Sequence, residues 1–215
     1  MRSSLGIVAS SRVRAAVGPL ASDSFNRANS TTTLGTADVG GAWTAHSGTW
    51  GIDTNRAYLV STTGQAIASL STSSPNVAVS ADVTLSATSN RADTGLVFRV
   101  VDNNNYLLVV MNKIGTTVTT DGIRIFKRAS GTFTELAATS TAQGHVNGTT
   151  YALRVVANAG SLEVFVDNVS KLTHTLSSGD QSLFGANTSH GVRVNASGSA
   201  DNGGSRFDNF LVVAA

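Results

Sequence analysis

From Asp23 onward the chain is a succession of short apolar runs broken by turn residues. Val77, Val79, Ala81, Val83 and Leu85 alternate with Ala78, Ser80, Asp82 and Thr84. That period of two puts one side of a strand in a core and the other in water. Gly95–Val101 and Tyr106–Met111 flank Asp102, Asn103, Asn104 and Asn105. Asn and Asp tolerate the left-handed conformations of tight turns, so this segment predicts a hairpin. Asn158-Ala159-Gly160 and Asp167-Asn168 predict two more turns between Tyr151–Val156, Leu162–Val166 and Val169–Leu172. Gly191–Val194 and Phe207–Val213 close the pattern. Roughly a dozen strands at about 8–12-residue spacing predict an all-β sandwich. Helical periodicity is limited to one short turn around Asp180–Phe184.

Residues 1–21 break this rhythm. They hold three arginines, no acid and no aromatic residue, and end near Gly18-Pro19. The apolar run near Met1 is shorter than a secretory h-region and is soon interrupted by Arg12 and Arg14. The reading is therefore an N-terminal arm over 1–21 followed by one domain over 22–215. Leu5, Ile7, Val8, Arg12 and Arg14 are the arm residues expected to dock on an assembly partner; a disordered tail is the alternative.

Composition narrows the chemistry. The 215 residues include no cysteine, which excludes disulfides and thiolate sites. Only 13% of residues are charged and the formal net charge is +2, without a basic block, so no nucleic-acid partner is expected. No apolar stretch reaches the roughly 18 residues of a membrane helix. Glu135 and Glu163 stand on separate runs, and neither has the closely spaced acid of a glucanase strand motif, so no catalytic pair is read. His46, His145, His174 and His190 sit near turns or polar runs, where solvated side chains are expected.

Several segments together resemble the concanavalin A-like, or laminin-G-like, jelly-roll domains of phage and bacterial surface proteins. They are Asp23-Ser24-Phe25-Asn26-Arg27, Leu34-Gly35, Trp43 and Gly48-Thr49-Trp50 at the start. Gly95-Leu96-Val97-Phe98-Arg99 with Asn105-Tyr106 match the central hairpin, and Tyr151–Val155 and Phe207–Val212 the later strands. The resemblance implies two packed antiparallel sheets. It also implies a structural calcium ion as an option, with Asp23 and Asp208 as ligands; no other cofactor is expected. It further implies a non-enzymatic virion module, such as a minor tail, fibre or decoration protein. Such a module would be homo-oligomeric, attach to other virion proteins through the arm and bind host-surface carbohydrate. The alternative is a secreted or cell-surface glycosidase relative or carbohydrate-binding module.

Sugars are held by an aromatic face with fixed polar donors. Alternation sends Arg99, Arg124, Arg154 and Arg193 away from their apolar neighbours. On adjacent strands these arginines would line one sheet surface, with Tyr106 or Trp43 to stack on a ring. An ordinary solvated sheet face is the competing reading, and Trp43 and Trp50 also suit a sandwich core.

Overall fold

A computed structural model describes residues 18–62, 64–87, 91–114, 121–196 and 204–215. The arm residues Leu5, Ile7, Val8, Arg12 and Arg14 lie outside these. Two antiparallel sheets account for the described strands. One runs β13 (Val169–Thr175), β12 (Ser161–Val166), β11 (Thr150–Asn158), β6 (Val77–Thr84), β15 (Arg206–Ala214), β4 (Arg56–Ser61) and β3 (Thr49–Asp53), with β1 (Ala21–Asp23) also on β15. The other runs β10 (Thr132–Ala138), β9 (Gly122–Ala129), β8 (Asn105–Ile114), β7 (Arg91–Asp102), β14 (Ser189–Asn195), β5 (Gln65–Ser71) and β2 (Thr44–Ser47). The described helix, α1 (Ser178–Phe184), is capped by Ser177, whose hydroxyl accepts from the Asp180 amide at 3.1 Å.

The alternation in β6 is the fold in miniature. Val77, Val79, Ala81 and Val83 are buried, and the residues between them are half-buried on the outer side. Leu153, Val155, Leu162, Val164 and Phe207 continue that inner face across the eight-stranded sheet. Leu96, Phe98, Leu107, Val109, Ile123 and Val192 answer from the seven-stranded sheet, forming one core. The expected turns follow their side-chain chemistry. Asp102 accepts from the Asn104 amide at 2.6 Å, and Asp167 and Asn168 have φ of 51° and 63°, as a two-residue hairpin requires.

One glycine joins the two layers. The chain leaves the seven-stranded sheet at Ser47 and enters the eight-stranded sheet at Thr49. Between them Gly48 has φ +73°, and a Cβ there would stand 2.7 Å from the Ala66 methyl. A side chain at this corner would strain the backbone and clash together.

His190 departs from the solvated expectation. It is fully buried on β14, its Nε2 donating to Ser74 O at 3.1 Å and its Nδ1 accepting from the Arg99 amide at 3.3 Å. Both nitrogens are thus used in the neutral ring. Burial, with the Arg99 charge beside it, pushes the His190 pKa down to about 4. An unfolded chain takes that proton near pH 6.5. The stabilisation is therefore complete above pH 6.5 and is lost as pH falls toward 4. Chemical denaturation should show the protein about 2 kcal/mol less stable at pH 4.5 than at pH 7 from this residue alone. His190→Gln, which keeps a donor and an acceptor, should flatten the stability profile across that window. Asp38 and Asp102, held low chiefly by backbone hydrogen bonds, act at lower pH, as does Asp180, where burial pushes the pKa up but hydrogen bonds from Lys127 and Ser177 and the Lys127 charge together bring it down.

Candidate functional site

Residues opposite one another on an antiparallel ladder share a face. Across β7 and β8 the outward pairs are Asp93–Asn112, Gly95–Val110 and Val97–Leu108. Arg193 of β14 stands opposite Gly95 on one side and Ile67 of β5 on the other, and Asn195 stands opposite Gln65. Leu108 pairs with Phe126, Tyr106 with Arg128, and Arg128 with Phe133. These chains therefore meet on the face of the seven-stranded sheet that points away from the core. A second buried apolar cluster lies there, made of Ile67, Val97, Val100, Tyr106, Leu108 and Val110, with Phe126 packed against it.

Leu108 lines an open depression on this face. Its polar wall is built around Arg193. The guanidinium donates from Nε to Gln65 Oε1 at 2.7 Å and from Nη1 to Asp93 O at 3.1 Å, and it forms an ion pair with the Asp93 carboxylate. Asn195 Nδ2 donates to Asp93 Oδ2 at 2.7 Å. Strands β5, β7 and β14 thus each contribute to one network, which fixes these polar groups before any ligand arrives. Asn112 closes one end, its amide oxygen buried without a donor among the described residues.

The facing wall is aromatic. Phe126 and Phe133 are edge-to-face at 6.5 Å, and Phe133 meets Tyr106 in the same way at 6.3 Å. Arg128 lies over Phe133 at 5.0 Å and over Tyr106 at 5.9 Å, donating to Asn103 O at 2.7 Å and to Gly131 O at 3.2 Å. Phe133 remains 37% exposed, so the ring is held in place yet open to contact. A depression with one aromatic wall and one wall of fixed hydrogen-bonding groups suits a small hydroxylated ring.

The structure brings together some of the residues singled out from the sequence and separates others. Arg193, Tyr106 and Arg124 share this face, Arg193 in the depression and Tyr106 buried beside it. Arg124 stands further along, its Nη1 3.0 Å from Glu135 Oε2. Arg99 does not join them. The register of β7 against β8 slips between Phe98 and Asp102, and Arg99 takes φ +52°. That bulge turns its side chain into a fully buried position, where Nε donates to Pro75 O at 3.0 Å. Arg154 stands on the other sheet, its guanidinium 3.7 Å from the Phe165 ring centroid. Trp43 is a core residue, 5.0 Å from the Phe210 ring and 5.7 Å from the Phe25 ring.

Gln65, Asp93, Asn112, Asn195, Phe126 and Phe133 escaped the sequence reading. Alternation alone could have added Asn195 and Phe126, each two residues after a singled-out arginine. Asp93 and Gln65 needed the strand pairing.

Asp23 does not fit the expected calcium ligand. Its buried carboxylate is paired with Arg27 and accepts from Trp43 Nε1 at 2.6 Å and from the Phe25 amide at 2.8 Å. These donors tie β1 to the opening segment and leave the acid already neutralised. Asp208 faces Asp82 across β6 and β15 and lies within electrostatic reach of Asp23; burial raises its pKa first, with the charges of Asp82 and Asp23 adding to the effect. Among the described residues no group of three or more His, Asp or Glu side chains could hold a metal.

No family model and no curated protein sequence matches the chain. Solved structures do. The chain is similar to the carbohydrate-binding module CBM66 from Bacillus subtilis, with a TM-score of 0.65 and 20% identity over 80% of this chain and 95% of that one. It is similar to domain 4 of AbnA, a GH43 extracellular arabinanase from Geobacillus stearothermophilus in complex with arabinotriose (TM-score 0.54, 16% identity, 90% of this chain and 91% of that one). The GH43 protein BlXynB from Bacillus licheniformis gives a TM-score of 0.60 at 15% identity, over 90% of this chain and 39% of that one. These likenesses bear out the fold expected from the sequence, an all-β jelly-roll sandwich of two antiparallel sheets.

The Arg193 network yields a stability test. Asp93→Ala should cost about 3 kcal/mol in urea denaturation, because it leaves a buried guanidinium without its carboxylate. Adding Arg193→Met should recover much of that loss, since an apolar chain of similar size carries no charge to strand. Additive losses from the two substitutions would show that the pair is not coupled.

Proposed function

We propose that this protein is a non-catalytic carbohydrate-binding module that takes a sugar ring in the depression above Leu108. The observation that carries the reading is the meeting of the fixed Arg193–Asp93–Gln65 network with the open Phe133 ring across one apolar floor. Such a site needs little reordering on binding, which limits the entropic cost of a weak, polar ligand. The likeness to CBM66 and to the arabinotriose-bound domain of AbnA supports the same reading.

The acids argue for binding without turnover. Retaining glycosidases hold two carboxyl groups about 5–5.5 Å apart across the scissile bond. The depression is lined by one acid, Asp93, and it is committed to Arg193 and Asn195. Glu135 is paired with Arg124, and Glu163 accepts from Ser170 Oγ at 2.7 Å on the other sheet.

Of the two settings expected from the sequence, the secreted or cell-surface carbohydrate-binding module is the one these neighbours favour. The virion role has no support among them.

Calorimetric titration with arabinotriose and a panel of plant and bacterial oligosaccharides tests the proposal. Binding to at least one neutral oligosaccharide is expected. Phe133→Ala should weaken that binding at least tenfold while moving Tm little, because the ring is partly exposed. Silence across the panel, or full affinity in the Phe133 variant, would remove this site from consideration.

A further inference from the structure

We infer that the depression above Leu108 selects neutral sugars and rejects those carrying a carboxylate. This inference rests on the carbohydrate-binding reading and narrows it to a ligand class.

The two charged side chains that line the depression are committed to each other. Arg193 is paired with Asp93, and Arg124 with Glu135. Arg128 directs two guanidinium nitrogens to the carbonyls of Asn103 and Gly131 and covers Phe133 and Tyr106. A uronic or sialic acid entering the depression would have to break the Arg193–Asp93 pair to gain that cation.

The Arg193–Asp93 pair is also layered. The arginine side chain is 4% exposed and the aspartate side chain 16% exposed. The buried half is therefore the cation, and the half nearer the opening is the anion. A visiting molecule meets carboxylate oxygens first. Those oxygens accept hydrogen bonds from sugar hydroxyls and repel a second carboxylate in the same partly desolvated space. Asn195 and Asn112, the amides beside this pair, are neutral. Selection by a repulsive element inside an otherwise adaptable polar site is a general route to specificity. The arginines that suggested an anion-seeking surface in the sequence thus serve a different end here. Arg193 holds Asp93 in place, and Arg154 stands on the opposite sheet.

Matched probes test this directly. A neutral glucan, xylan or arabinan oligosaccharide that binds in calorimetry is compared with the same oligosaccharide bearing a uronic acid. The expected result is at least tenfold weaker binding of the acidic probe. A neutral-probe affinity that changes little between 20 mM and 500 mM NaCl is expected alongside it. Asp93→Asn retains an oxygen acceptor for Arg193 and removes the negative charge. In this variant the gap between the probes should narrow, provided that its melting curve stays cooperative. The wild-type comparison stands without it. Equal or stronger binding of the acidic probe would overturn the inference and leave the carbohydrate-binding reading intact. Failure of every neutral and acidic probe would overturn both.

Discussion

Apolar side chains from two sheets press against each other along the whole sandwich, and the remaining features depend on that contact. Each strand surrenders alternate positions to the core, such as Val79 and Val83 on one side and Leu107 and Val109 on the other. The burial fixes register, because a slip of one residue would turn an entire apolar row to solvent. With register fixed, the outward positions become a precise array that the core does not need. In the seven-stranded sheet that array holds a second apolar patch, bordered by aromatic rings on β9 and β10 and by a polar network on β5, β7 and β14.

Where the alternation is interrupted, the interruption decides a residue's fate. The bulge at Arg99 converts an outward position into a buried one and lets Val100 join Val97 on the outer face. A second bulge, between Asp208 and Leu211 of β15, contains Asn209 at φ 49° and lets its amide reach Asp82 at 2.8 Å. Gly48 carries the chain from one layer to the other. Each is a local departure tolerated because the two faces of the core overdetermine the rest.

Several buried or half-buried charged groups are held in pairs. Asp23 answers Arg27 and Trp43, Lys127 answers Asp180 at 2.6 Å, and Arg193 answers Asp93. A charge removed from water is costly unless paired, so these contacts are constraints on geometry as much as contributions to stability. The same pairing gives the outer depression its character. It offers hydrogen-bonding atoms at fixed positions and holds its two lining charges as a pair.

The succession of strands, the hairpins at Asp102–Asn105 and Asp167-Asn168, and the short helix near Asp180 could be read from the chain, because they rest on local periodicity and turn chemistry. The outward placement of Arg193 and Arg124 was legible for the same reason. Alternation failed at Arg99, where a bulge reverses the side chain, and it could not say that Arg154 belongs to the other sheet. It also gave no means of seeing Asp93, Gln65 and Arg193 as one network, since they are joined across strands far apart in the chain. The sequence by itself determined which residues alternate between core and surface. Only the tertiary structure decided which surface residues are neighbours, because strand order and register are set by burial summed over both sheets and not by any single segment.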